Sequence, residues 1–294
     1  MPLVGSAGVA GRGVEVTRVG AGERWRVTRP WPARLRPIVH SYAGYGEVAA
    51  SPSPYRVRLV PTGRAVVVIS LGEPFAHIRR LGDAGPSSRV TGSLVAGLEN
   101  GPRVCDHPGG QEAIRLELTP LGAFRLFAMP MSELTDRVVE LRDVLGPGAA
   151  VLVERLAAAR DWGARFDLLD HALSARLDTG PLPAPEVGHA WRLLSRAGGA
   201  VPVRRIAAEV GWSQGHLTRR FTEQVGLTPK MSGRVLRFHR AVRLLTHDAA
   251  PPVEVSAACG FYDQAHLNRE FRALAGTTPG RVAAVGLAEG ALAL

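Results

Sequence analysis

The sequence predicts two domains of different class: a mostly β N-terminal domain followed by helices, and an all-α C-terminal domain. Three observations predict it. The chain has 294 residues, about two domains' worth at ~150 residues each. Between Arg56 and Pro120, short β-branched runs alternate with turn-forming residues. After Val201, one helical pattern occurs twice.

Composition narrows the function classes. Hydrophobic residues make up 46% and charged residues 21%, which excludes wholesale disorder. No apolar run approaches the roughly 18–20 residues of a membrane span; the best, Ala65 to Leu71, has a strand's length. The opening MPLVGSAGVAG lacks a basic stretch ahead of an apolar core, so a cytoplasmic location is the expectation. Cys105 and Cys259 are the only cysteines. With no CxxC and no Cys/His cluster, neither a disulfide framework nor a metal site is expected. No catalytic constellation or cofactor motif is present, so the chain reads as a non-enzyme.

Charge points to a partner. There are 36 Lys+Arg against 26 Asp+Glu, a net of +10. Between Val201 and Asp248 the balance is nine basic against three acidic. A concentrated arginine surplus is the footprint of a polyanion-binding patch.

Along the chain, residues 1–30 read as a loose Gly/Ala/Arg-rich arm or an edge strand. Residues 31–145 carry the β runs RVRLV, RAVVVISL, FAHIRR, RVTGSLVAGL and QEAIRLEL. Their regular spacing suggests an antiparallel barrel or sandwich. Thr119-Pro120 is a cap and first-turn pair for a helix over Leu121 to Met129. Residues 146–178 hold a helical pair, Ala149 to Arg160 and Ala164 to Leu177. The second has an apolar stripe of Phe166, Leu169, Leu173 and Leu177, expected to serve either as a dimer surface or as packing against the β domain. Residues 179–185 are a proline-rich linker in which Gly180 is the expected pivot and Pro181, Pro183 and Pro185 stiffen the arms. Residues 186–287 form the basic helical domain and 288–294 a tail.

Within the helical domain, Ser213–Pro229 aligns with Asp263–Pro279 at an offset of 50 residues, with Gln, His, Leu, Arg, Phe, Gly, Thr and Pro identical. Each copy reads as helix–turn–helix: one spans 202–226, the other 252–276, and a connecting helix covers 229–246. In the first, Val203, Ile206, Ala207 and Val210 form a core face, Gly211 turns and Ser213 caps. Leu217, Phe221 and Val225 then point inward. In the second, Val255 and Cys259 are inside, Gly260 turns and Asp263 caps, which makes Cys259 a small core residue. The outward residues are Gln214, Gly215, Thr218 and Arg219, then Gln264, Ala265, Asn268 and Arg269, with Arg220 beside the first set. Arg pairs bidentately with guanine, and Gln or Asn with adenine, each pair discriminating by about 1–3 kcal/mol. Arg237 and Arg240 on the connecting helix are expected phosphate contacts.

These motifs carry a resemblance. IAAEVGWSQGHLTRRF, GLTPKMSGRVLRFHRAVRLL and ACGFYDQAHLNREFRALAGTTPGR resemble the AraC/XylS-type DNA-binding domain. Gly260, Phe261, Asp263, Phe271, Gly276, Thr278 and Pro279 are the most specific part. The resemblance implies that two recognition helices dock in adjacent major grooves of double-stranded DNA. Ser232 and Gly233 stand where an aromatic and an aliphatic residue are usual, which predicts a looser start to the connecting helix. Less specifically, LVPTGRAVVVISLG and LTPLGAFRLFAMPMSELTDRVVELRDVLG resemble the regulatory domain of a subgroup of these regulators. That implies a cupin-like barrel binding a small effector or mediating dimerisation. His40, Tyr42, Tyr45, His77 and Glu117 are candidate pocket residues, with a core or surface role the blander reading of each. The implied function is an effector-responsive transcription regulator, a homodimer, working with RNA polymerase if an activator. The alternative is a regulator whose N-terminal domain binds no small molecule and acts through protein contacts. A DNA-repair alkyltransferase with the same reader domain is excluded, because it needs a cysteine cluster.

Overall fold

A computed structural model describes residues 14–19, 24–47, 55–72, 76–82, 88–90, 92–107, 112–286 and 291–293. The β region contains β1 (Glu15–Val19), β2 (Arg24–Thr28), β3 (Val39–Glu47), β4 (Tyr55–Leu59), β5 (Ala65–Ser70), β6 (Ala76–Arg80), β7 (Ser88–Val90), β8 (Leu94–Ala96), β9 (Arg103–His107) and β10 (Glu112–Leu118). Helix α1 (Pro120–Phe127) and strand β11 (Val138–Glu140) follow, then α2 (Leu141–Leu145), α3 (Gly148–Ala158) and α4 (Trp162–Thr179). The C-terminal region is helical: α5 (Pro185–Arg196), α6 (Val203–Glu209), α7 (Gln214–Val225), α8 (Pro229–Thr246), α9 (Pro252–Ala258), α10 (Gln264–Ala275) and α11 (Pro279–Val285). Strand β12 (Ala291–Ala293) ends the described chain.

The strands form two antiparallel sheets, ordered β1-β2-β3-β10-β5-β8-β11 and β12-β4-β9-β6-β7. Residues 15–19 take the edge-strand alternative: β1 forms the edge of the larger sheet, with β2 paired between β1 and β3. One placement departs from the sequence reading. The tail returns to the β region, where β12 pairs with β4. Nothing in the local Ala/Leu sequence signals that partner, because the partner lies more than 200 residues away.

The period-2 alternation of the strands decides which face is which. Tyr42, Ile114, Leu116, Leu118, Val67 and Ile69 form a buried face. On it pack Leu126 and Phe127 of α1, and Phe166, Leu169 and Leu177 of α4. The stripe proposed for dimerisation is therefore consumed inside the chain: Phe166 is 0% and Leu169 1% exposed. Burying a side chain of this size contributes about 1.5–3 kcal/mol, so a helix with this stripe seats itself on the nearest apolar sheet. The cap of α1 is as read: the Thr119 hydroxyl accepts the Gly122 N–H at 3.1 Å.

The same core runs on into the helical region, where Val187, Ala190, Leu194, Ile206, Leu217, Phe221 and Val225 belong to it. Gly180 is consequently no pivot. A Cβ there would stand 2.1 Å from the Arg125 carbonyl oxygen, so the glycine is needed for close packing of α4 on α1. The other end of the segment is tied too, since the Ala184 N–H donates to Gln224 Oε1 at 2.9 Å.

Candidate nucleic-acid interface

The two helix–turn–helix units are built by the same local devices. Gly211 and Gly260 turn the chain at φ +70 and +71, a region costly for residues with a Cβ. The Ser213 hydroxyl accepts the His216 N–H at 3.2 Å. Asp263 Oδ1 accepts the His266 N–H at 2.6 Å. Each cap satisfies an otherwise orphaned donor at a helix start. Leu217, Phe221 and Val225 of α7, and Leu267, Phe271 and Leu274 of α10, are all buried. Gly226 and Gly276 end those helices at φ +99 and +62.

That packing fixes what faces out. Gln214, Gly215 and Arg219 on α7 are exposed, as are Gln264, Ala265 and Arg269 on α10; Thr218, Arg220 and Asn268 are half-buried. Arg220 is held by Glu223 at 2.6 Å, while the Arg219 guanidinium reaches only His216 Nδ1 at 3.4 Å. At the equivalent of Arg220 the second copy has Glu270, which takes both oxygens to the Arg234 guanidinium at 3.0 Å. Bidentate pairs of this kind hold geometry as well as charge; here one fastens α8 to α10.

The arginines of α8 thus divide. Arg234 is engaged by Glu270, and Arg237 donates from Nη1 to the Gly199 carbonyl at 2.9 Å. Arg240 and Arg243 are exposed. The start of α8 is not loosened by Ser232 and Gly233. A Cβ on Gly199 would meet the Gly233 carbonyl oxygen at 2.1 Å, so the small residues let the α5–α6 turn lie directly on α8. Cys259 is 2% exposed and burial pushes its thiol up; Cys105 is buried and pushed up to about 12 by the same cause. A raised thiol pKa lowers the thiolate fraction at neutral pH. Among the described residues no group of three or more His, Cys, Asp or Glu is placed to hold a metal.

A second site lies against the other side of α8. A cleft of about 250 Å³ is bounded by Arg26, His40, Arg64, Arg115 and Glu117 of the β region and by His239 of α8. Of the pocket candidates read from sequence, His40 and Glu117 line it. Tyr42 points the opposite way, into the core, and donates to Asp170 Oδ1 at 2.9 Å, where Arg29 also pairs with Asp170 at 2.5 Å. Tyr45 stands on β3 opposite Arg26 but is not part of the lining, and the side chain of His77 lies outside the described residues. Sequence reading missed Arg26, Arg64, Arg115 and His239, because their convergence depends on strand order β2-β3-β10-β5 and on the docking of α8.

Comparison with known proteins follows this division. Residues 206–284 match the family model described as a helix-turn-helix domain, and residues 28–140 match a domain of unknown function, DUF6597. An uncharacterized HTH-type transcriptional regulator of Bacillus subtilis (strain 168), YbfI, is 34% identical over 67 residues, 23% of this chain. The match spans 24% of that relative's length. Among solved structures, the DNA-binding domain of AdpA in complex with a target DNA is 24% identical with a TM-score of 0.33, covering 34% of this chain and 92% of that one. An AraC-type DNA-binding domain-containing regulator from Chromobacterium violaceum is 29% identical (TM-score 0.32), over 34% of this chain and 90% of that one. ToxT from Vibrio cholerae is 10% identical with a TM-score of 0.47, over 83% and 98%. The duplicated, capped helix–turn–helix unit and the match over residues 206–284 show that this part of the chain is a helix-turn-helix domain.

Proposed function

We propose that the protein is a sequence-specific DNA-binding transcription regulator that reads two adjacent major grooves and responds to a small effector. The observation that carries it is the repetition of the outward positions of α7 and α10. Gln214, Gly215, Thr218 and Arg219 recur at the same helical positions as Gln264, Ala265, Asn268 and Arg269, on helices whose opposite faces are buried. The connecting helix α8 has 18 residues, about 27 Å at 1.5 Å per residue. That length suits two readers about one ~34 Å DNA turn apart. Arg240 and Arg243, exposed on α8, supply sequence-independent phosphate affinity. Arg237 keeps Nη1 on the Gly199 carbonyl, which leaves its other guanidinium donors for phosphate. The polar cleft between the sheet and α8 supports the effector reading. A homodimer, formed through a surface other than the α4 stripe, and contact with RNA polymerase in an activator complete the proposal.

The test uses the full chain, because the β region and the first helix–turn–helix unit share one core. In a gel-shift assay at moderate salt, the protein is expected to retain DNA from its own promoter region in the presence of excess random duplex. Equal competition by random DNA at every salt concentration overturns sequence-specific reading.

A further inference from the structure

We propose that Arg58, outside both helix–turn–helix units, is a positioning residue that sets the tilt of α10 and so the half-site spacing the protein accepts on DNA. This role deepens the two-groove reading above and rests on it.

The two units are held differently. Helix α7 belongs to the core that runs through the β region, with Leu217, Phe221 and Val225 among its members. Helix α10 packs in a second cluster that contains Phe238 and Phe271, whose rings lie 4.9 Å apart. Of the described N-terminal residues, Val60 alone is a member of that cluster. Apolar burial is non-directional, so it keeps α10 against α8 without fixing its tilt. Polar bonds fix the tilt.

Two polar attachments lie along α10. Near its middle, Glu270 takes the Arg234 guanidinium of α8 with both oxygens at 3.0 Å. At its C-terminal end, Arg58 Nη1 donates to the carbonyls of Ala275 and Gly276 at 3.2 and 3.1 Å. Gln264 and Gly276 each stand six residues from Glu270, about 9 Å along the axis. With Glu270 as fulcrum the arms are equal, so a displacement at Gly276 reaches Gln264 with about the same size and the opposite direction. One attachment leaves a helix free to swing; the second fixes its direction.

Arg58 is itself anchored to what holds α7. Strand β4 pairs with β9, with Arg58 opposite Val104 and Leu59 opposite Arg103. The Arg103 guanidinium donates to the Asp136 carbonyl and to Glu99 Oε1 at 2.6 Å. Asp136 follows Thr135, whose hydroxyl donates to the Gly226 carbonyl at the end of α7. Leu81 adds to the seat of α10. Its N–H donates to the Pro102 carbonyl at 3.1 Å, and its side chain occupies the space a Cβ on Gly276 would take. A run of bonds through the β region thus joins the ends of the two helices by a route separate from α8. The consequence is felt on DNA. One added base pair moves a half-site about 3.4 Å along the duplex and about 34° around it. A helix of fixed tilt meets the second groove at one spacing; a helix free to swing follows it to neighbouring ones.

The experiment begins with selection by the full chain from a library of random-sequence duplexes, with sequencing of the bound fraction. Two sequence blocks about one turn apart are expected. Titration of the recovered duplex, and of duplexes with one base pair inserted or deleted between the blocks, then measures the spacing penalty. The unchanged chain is expected to bind the altered duplexes at least about tenfold more weakly. For Arg58→Ala the penalty is expected to fall to about threefold or less, with the blocks themselves unchanged. Arg155→Gln, exposed on α3, is expected to keep the full penalty. If circular dichroism shows Arg58→Ala misfolded, Leu81→Ala, at an exposed position, takes its place with the same expectation. An unchanged penalty in the folded variant overturns the role. So does an equal loss of affinity at every spacing, the mark of a merely structural contact. Tighter binding at every spacing overturns it as well, by making Arg58 a restraint on α10. If the unchanged chain returns no pair of blocks, the two-groove reading falls before any variant is made, and the positioning role falls with it.

Discussion

Arg58 donates from Nη1 to the carbonyl oxygen of Gly276 at 3.1 Å. Fifty residues earlier, the repeat-equivalent Gly226 carbonyl accepts the Thr135 hydroxyl. These are the glycines that end α7 and α10, and both carbonyls are held by the N-terminal half. The last carbonyls of a helix have no intrahelical partner, so they are natural points of attachment. The N-terminal half thus holds the ends of α7 and α10 at corresponding places.

Arg58→Ala removes two charge-assisted bonds and is expected to destabilise the full chain by about 1–3 kcal/mol. Thr135→Ala, losing a neutral bond, is expected to cost about 0.5–1.5 kcal/mol. Urea denaturation measures both. Wild-type midpoints for both variants would show that the grip contributes nothing.

Glycines with positive φ are expected to differ sharply. A Cβ at Gly211 meets nothing within 4 Å, so Gly211→Ala costs only backbone strain, about 1–2 kcal/mol. A Cβ at Gly199 meets Gly233 backbone at 2.1 Å, and its φ is +82. Gly199→Ala should therefore displace the α5–α6 turn from α8 and lower the melting temperature further than Gly211→Ala. Equal shifts would contradict the tight crossing.

The arginines of the interface should separate by kind. Arg219→Ala or Arg269→Ala is expected to cost about 1–3 kcal/mol on the preferred site and to relax specificity at one position. Arg240→Ala should weaken all sequences alike and reduce the salt slope by about one. Binding isotherms at several salt concentrations, on specific and random duplexes, distinguish them. Equal losses on both duplexes for Arg219 remove it from the readers.

Stability should fall on mild acidification. Burial holds His239 at about 4 in the folded chain, against an ordinary value near 6.5. As pH drops through about 6.5 the unfolded chain takes up a proton that the folded chain refuses, so stability is lost between about pH 6.5 and 4, to a total of about 3 kcal/mol. His40, lowered for the same reason, acts in the same direction. His239→Gln should flatten much of this dependence in denaturation curves taken at pH 7 and pH 5. An unchanged slope would place the titration elsewhere.

Removing Phe166 tests the fate of the α4 stripe. Phe166→Ala empties a fully buried position and is expected to cost about 3–5 kcal/mol. If its main effect were instead on self-association, seen by sedimentation with stability unchanged, the stripe would be an interface after all.

The helix–turn–helix units were legible because every device in them is local. Gly211, Ser213, Gly260 and Asp263 act on backbone within three or four residues, and the stripe of Leu217, Phe221 and Val225 repeats at helical spacing. The same locality made the start of α1 readable from Thr119, a side-chain cap. What the sequence could not decide is where a face goes once formed. The α4 stripe would suit a partner chain or the chain's own sheet, and hydrophobic burial is indifferent between them; the nearness of the β3-β10-β5 face decided it. Gly180 reads as a pivot by composition and is a packing contact by position. The cleft is the clearest case: Arg26, Arg64, Arg115 and His239 lie up to 213 residues apart, each ordinary where it stands. Only strand order and the docking of α8 make them neighbours, and their joint charge is a property of the tertiary structure alone.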